Sequence, residues 1–402
     1  MNRWSIGIVA VLWFTFAGAA AAEVHPVAKG CKEVGIHDPS SASAPPAASG
    51  FPLQLETRVP FEPTAFPSDG RTYVMYELYL SNFATSPLTL SGLQVLDADA
   101  PSAARIAAFE PSEFRALLRP VGAQAPGDVG DSYLQLAAGR SDILFLCLAF
   151  GPGTHVPNHL RHRIVMSDST TEGAVIDIHH AKLHVLGAPL MGANWLASDG
   201  PSNDESNHHR RGVFVSEGRA SISRRYAIDW QQTKNGETFS GDPLDKRSYY
   251  SYGKPVLAVA DSRVIVAKDG LPDNAPGHNE SFHPATPITM ATVGGNRITL
   301  DLGSGQFAQY MHLQPGTLRV KAGDRVRRGQ VLARVGSSGD AREPHLHFQV
   351  TTSSSLFANE GLPYLIEHYR IKTAGDSWQT RSRELPLGNM LVDFGPDSTD
   401  TM

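Results

Sequence analysis

From about residue 51 to residue 350 the apolar residues come almost entirely in short β-prone runs broken by turn residues. This pattern excludes long helices and points to sheets. Tyr73-Val74-Met75-Tyr76-Glu77-Leu78-Tyr79-Leu80 is the strongest run, and Asn82 to Pro87 supplies turn residues after it. Leu88-Thr89-Leu90, Leu93 to Leu96, Tyr133 to Leu136, Ile143 to Phe150 and His162 to Met166 follow. A content of 37 glycines and 28 prolines supplies the turns, and the chain's 402 residues are too many for one ordinary core. The fold class expected is all-β. A β-sandwich spans 51–188, with Glu110 to Leu118 as one short helix, and a second β-rich domain spans 208–370. Gly192, Gly200, Pro201, Ser202 and Asn203 mark residues 189–207 as the linker, and the polar, poorly patterned 371–402 reads as a loose tail. Histidines in the first half, such as His155, His179, His180 and His184, lack ligand spacing, so this half reads as an accessory domain.

Residues 1–22 have the form of a secretory signal peptide. Arg3 supplies the positive start, Ile6 to Phe16 the apolar core and Ala20-Ala21-Ala22 the small-residue cleavage site. Nothing later approaches 18 continuous apolar residues, so the mature chain is expected in the periplasm or secreted, with no membrane segment. Residues 23–50 end in a Ser/Ala/Pro-rich stretch that reads as a tether. A net charge of −5 without a basic patch argues against nucleic acid as a partner. Cys31 and Cys147 are the two cysteines, and a bridge or a buried free thiol at Cys147 are both compatible with the sequence.

The chemistry concentrates near residue 345. In Glu343-Pro344-His345-Leu346-His347-Phe348-Gln349-Val350, two histidines at i and i+2 of a strand face one side, with Cα atoms roughly 6.6 Å apart. One imidazole can bind a metal while its neighbour handles protons. Two further segments, Tyr226-Ala227-Ile228-Asp229-Trp230 and Tyr310-Met311-His312-Leu313, accompany it. Gly253 to Ala258 and Gly323 to Gln330 stand between them. In order and spacing these five motifs, over roughly 208–352, resemble the lysostaphin-type (LytM-like) zinc endopeptidases of bacterial cell walls. The resemblance implies a compact antiparallel β domain of duplicated-hybrid-motif topology, a zinc cofactor and cleavage of peptide bonds in peptidoglycan. Carried over, Asp229 and His347 are zinc ligands. His345 activates the attacking water, and His312 orients that water and stabilises the oxyanion.

One position departs from the family pattern. Where a histidine ligand stands four residues before the aspartate, this chain has Arg225, which only donates and cannot ligate zinc. His208 and His209 open the hairpin that turns at Glu217-Gly218, and either can fill the gap. A two-residue loop sets 208 opposite 227, and a three-residue loop sets 209 opposite 225. Solvated histidines at a domain entrance are the plain alternative. Tyr249, Tyr250 and Tyr252, in the insertion from Gln231 to Tyr252, either line a groove or pack on their own domain, and Lys268 to His283 is expected to border the cleft. The function expected is zinc-dependent hydrolysis of peptidoglycan. The alternative is a degenerate, non-catalytic module that binds cell wall or activates another hydrolase. A sugar-phosphotransfer carrier of the same topology is disfavoured by the signal peptide, since its phosphodonor is cytoplasmic.

Overall fold

The computed structural model describes residues 26–35, 52–100, 104–122, 134–167, 169–373 and 375–395. The leader over 1–22 and most of the tether lie outside them. The fold is all-β, with Pro111–Leu117 the one α-helix among the described residues. No described helix is long and apolar enough to cross a membrane.

The first unit is two facing sheets. Arg71–Asn82 lies antiparallel to Ser141–Phe150 in one sheet, with Tyr73 opposite Ala149 and Leu80 opposite Asp142. Leu88–Asp97 and His159–Met166 anchor the other. Alternation along the strand divides the side chains between two cores. Val74, Tyr76, Leu78 and Leu80 meet Leu144, Leu146 and Leu148 in the sandwich interior. Tyr73, Met75, Cys147 and Ala149 point the other way, into a core shared with Trp195, Tyr226, Ile228 and Trp230. Glu77 belongs to that second face by the same alternation. The two units are therefore joined through a common apolar core.

The second unit is built on an 11-stranded sheet. At its centre Trp195–Ser198, Ile228–Gln232, Leu346–Thr351, Gln306–Leu313 and Asn296–Gly303 lie side by side, all antiparallel. Phe214–Ser216 and Arg219–Ser221 form the expected hairpin, turning through Glu217 and Gly218, both at positive φ. This is a two-residue turn whose twist matches that of the strands.

Three expectations are corrected. Within the stretch expected as a tether, Lys32–Val34 pairs parallel to Leu148–Phe150, and Cys31 is bonded to Cys147. The linker expected at 189–207 contains the strand Trp195–Ser198 in the middle of the large sheet, because fully buried Trp195 and Ala197 outweigh the flanking Gly, Ser and Asn. The loose tail expected from 371 carries instead the end of Leu365–Lys372, then Trp378–Glu384 and Leu391–Asp393. Besides this strand pairing, side-chain contacts tie it to the sandwich. Ser68 Oγ donates to Leu385 O at 2.6 Å, and Arg381 pairs with Asp69 at 2.5 Å.

Candidate metal centre

Strand register brings the site together. Ile228 and Trp230 point into the core, so Asp229 between them points to the opposite face. Asp229 lies directly opposite His347 on one side and Ser198 on the other, while Met311 lies opposite His347. Directly opposed residues have Cβ atoms about 5 Å apart, which places Asp229 and His347 in contact. His345 shares the face of His347 by the i, i+2 rule. His312, at the end of the adjacent strand, sits at φ 62°, a sparsely populated conformation for a non-glycine residue that aims its ring at the other two. The rings of His312 and His345 are 4.9 Å apart, and those of His312 and His347 5.9 Å.

Arg225 brings no imidazole to Asp229; the structure brings His209 there instead, by another route than an extended hairpin. The hairpin ends at Phe214 opposite Ser221, and residues 208–211 form a turn. That turn is set by Asn207, whose Oδ1 accepts the backbone N–H of both His209 and Arg210 at 3.0 Å. His209 is only 1% exposed, and its Nε2 stands 3.4 Å from Asp229 Oδ2. Its ring centroid is 4.8 Å from that of His347. His208 is half exposed, with Nε2 3.9 Å from Asp229 Oδ2 and Nδ1 3.3 Å from Asp199 Oδ2. One ligand atom each from His208, His209 and Asp229 falls within a 4.8 Å cluster.

The hydrogen bonds fix which nitrogen each imidazole presents. His209 donates Nδ1–H to Asp199 O at 3.0 Å, His312 to Ser338 O at 2.8 Å and His345 to Glu343 O at 2.8 Å. All three therefore present a bare Nε2. His209 Nε2 is buried without a hydrogen-bond partner. His347 does the reverse. Gln349 Nε2 donates to Ser223 Oγ and to Gln309 Oε1, so Gln349 Oε1 is left to accept from His347 Nε2–H at 2.9 Å. His347 Nδ1 is then bare, yet it stands 2.8 Å from Asp229 Oδ1. Two acceptors at that distance need a proton or a cation between them. Burial pushes His209 down to about 4, and it also holds His312 well below the ordinary histidine value. Burial would raise the Asp229 carboxyl, but His345, His209 and His347 outweigh it and hold Asp229 well below the usual carboxylate range. A buried carboxylate with orphaned imidazole nitrogens aimed at it fits the donor set of a nitrogen- and oxygen-preferring divalent metal such as zinc.

Arg225 is turned away from this cluster. Its guanidinium reaches Glu77 Oε2 at 2.6 Å and Glu360 Oε2 at 3.1 Å, buried between the two units. Arg224, by contrast, lines the cleft, as do His278 from the Lys268–His283 loop and the wall residues Asp199 and Asn207. The cleft has a volume of about 580 Å³. The tyrosines of the insertion pack on their own domain. Tyr249 stacks near Phe239 and donates to Pro243 O, and Tyr252 donates to Asp273 Oδ2. Sequence reasoning missed Gln349, although its i+2 spacing from His347 is a signal for a shared face. It also missed Asn207 and Arg210, which carry no such pattern.

Residues 248–358 match peptidase family M23. Among curated relatives, the glycyl-glycine endopeptidase ALE-1 of Staphylococcus capitis is 44% identical over 120 residues, covering 29% of this chain and 27% of that protein. Lysostaphin of Staphylococcus simulans is 43% identical over 75 residues, 18% of this chain and 15% of the relative. The peptidoglycan DD-endopeptidase ShyB of Vibrio cholerae is 32% identical over 98 residues, 24% of this chain and 18% of the relative. The chain thus spans about a quarter or less of the length of these relatives. The catalytic-domain structure of lysostaphin from Staphylococcus simulans aligns with 35% of this chain and 74% of its own, at 25% identity and a TM-score of 0.20. The family match contains His312, His345 and His347, while His208, His209 and Asp229 precede it. The comparisons thus identify a peptidase family M23 domain at residues 248–358 of this chain.

Proposed function

We propose that the protein is an exported zinc metalloendopeptidase that hydrolyses peptide bonds of bacterial peptidoglycan. The observation that carries the reading is the buried, unpartnered Nε2 of His209, aimed at Asp229 beside the bare Nδ1 of His347. His209, Asp229 and His347 are the residues that would hold the metal, with His208 a half-exposed fourth candidate. When bound, zinc supplies Lewis-acid polarisation and lowers the pKa of a water to roughly 7.

The remaining chemistry belongs to the chain's own side chains. His345 Nε2, bare and 3.4 Å from Asp229 Oδ1, borders the metal position and accepts the proton of the attacking water. The same imidazolium then returns that proton to the leaving amine. His312, neutral and holding its only N–H on Ser338 O, accepts a hydrogen bond from the water. It becomes a donor to the oxyanion only once it has itself taken a proton. Peptidoglycan as substrate is supported by the peptidoglycan DD-endopeptidase among the relatives, and an endopeptidase activity by the glycyl-glycine endopeptidase as well. Export rests on the leader pattern of residues 1–22. Arg225, the feature that favoured a non-catalytic module, is engaged with Glu77 and Glu360 and leaves the metal position clear.

The test pairs metal content with peptidoglycan release. The wild type is expected to carry about one zinc, and His209→Ala to lose it. His345→Ala should keep zinc and lose roughly 10²–10⁴-fold in hydrolysis. A wild-type protein that binds no zinc and releases nothing, yet sediments with cell walls, refutes the enzyme reading in favour of a binding module.

A further inference from the structure

We propose that the N-terminal sandwich is a working part of the metal site, with Glu77 and Arg210 as positioning residues that hold His209 in place. This inference rests on the zinc reading above. His209 belongs to no strand of the large sheet, and its turn is riveted to the sandwich by the two residues that follow it. Arg210 is fully buried. Its Nη2 donates to Tyr76 O at 2.8 Å and to Leu146 O at 3.1 Å, and its Nη1 is ion-paired with Glu77. Arg211 donates to Leu117 O at 3.2 Å and lies over the ring of Phe145 at 4.3 Å. Every one of these partners is a sandwich residue.

Glu77 itself calls for an account. It is a buried carboxylate in the middle of an apolar strand, a costly placement unless its charge is matched. It is matched twice, by Arg210 and by Arg225. Arg210 directly follows His209, and Arg225 opens the segment that leads into Asp229. One sandwich carboxylate therefore ties together the two segments that bring ligands from outside the M23-matched region. Of the two segments, only that of His209 depends on the tie. Asp229 is independently registered between Ser198 and His347.

The four charges Glu77, Arg210, Arg225 and Glu360 allow a test that preserves neutrality. In the full chain, Glu77→Gln with Arg210→Met leaves the Arg225–Glu360 pair, and Arg225→Met with Glu360→Gln leaves the Arg210–Glu77 pair. Zinc affinity is read by competition with a chromogenic chelator, and ligand number from the visible spectrum of the cobalt(II)-loaded protein. The first variant is expected to bind zinc about 10–100-fold more weakly and to change the cobalt spectrum. The second should stay within about threefold of wild type, although both lose one buried pair. If the first variant binds zinc as tightly as wild type while His209→Ala does not, the positioning role is overturned and the zinc reading stands. If wild type and His209→Ala bind zinc equally, the zinc reading fails and this inference with it. Should the first variant be insoluble, Arg210→Lys carries the test. It keeps the charge but cannot serve Glu77 and both carbonyls together. A several-fold loss of zinc affinity supports the role, and unchanged affinity overturns it.

Discussion

Restoring a histidine at position 225 is the sharpest test of how this site is built. By family pattern alone, Arg225→His should supply a missing ligand and tighten metal binding. The structure argues the opposite. The Arg225 side chain is buried between Glu77 and Glu360, with 2.6 and 3.1 Å contacts, and also donates to Gly361 O at 3.2 Å. A shorter imidazole cannot reach both carboxylates, so at least one is left buried and underpaired. Breaking a buried pair in this way costs about 3–5 kcal/mol. At roughly 2–4 °C per kcal/mol for a unit of this size, the melting temperature should fall by about 6–20 °C. Zinc stoichiometry should not rise, because in the proposed site His209 supplies that ligand. Thermal unfolding by circular dichroism, with metal analysis on the same sample, reads both quantities. An Arg225→His variant that gains zinc affinity without losing thermal stability would refute the assignment of Arg225 to the interface.

Two further outcomes follow from single contacts. Gln349→Leu removes the acceptor that holds His347 Nε2–H, and it should weaken zinc binding by about 10–100-fold with little loss of secondary structure; unchanged chelator competition would count against that role. Asp142, buried in the sandwich, has its carboxyl pushed up to about 6 by burial. The folded chain therefore holds a proton that the unfolded chain has released between about pH 4 and 6, and stability falls across that window as pH rises. Asp142→Asn should add up to about 3 kcal/mol above pH 6 and almost nothing below pH 4, as read by urea unfolding at both pH values.

How much was legible in the sequence depended on the range of the interaction. His345 and His347 were readable because a period of two needs only neighbours. Asp229 and His312 were reached only through the family resemblance of their segments; strand alternation would turn His312 toward the core with Tyr310, and its positive φ brings the ring back to the other histidines. The Glu217-Gly218 turn was readable because its chemistry is local. The position of His209 was not, because it depends on Arg210 reaching Tyr76, 134 residues away. The hairpin argument led to His208 and His209, and both lie near Asp229, but the chain departs from strand geometry before it reaches them. Trp378–Glu384 escaped notice because an edge strand with a largely exposed, polar face carries little hydrophobic period. Leu391–Asp393 is too short to register against its surroundings. Glu77 was visible as a lone charge in an apolar run, but nothing local says which cations answer it.

The short strand Leu391–Asp393 has a consequence for the order in which the molecule is made. It lies between Trp195–Ser198 and Leu365–Lys372, so it is the seam that joins two parts of the large sheet. Until it is in place, Trp195–Ser198 presents an open edge, a surface that invites pairing with another chain. Ser68 and Leu385 meet across 317 residues of sequence, and contacts of such range are slow to form. A chain halted before residue 391 would hold every histidine discussed here, yet lack the strand that closes the sheet beside Asp199, the residue whose carbonyl orients His209. A nascent or clipped chain that lacks this strand is therefore expected to be prone to strand exchange along that edge.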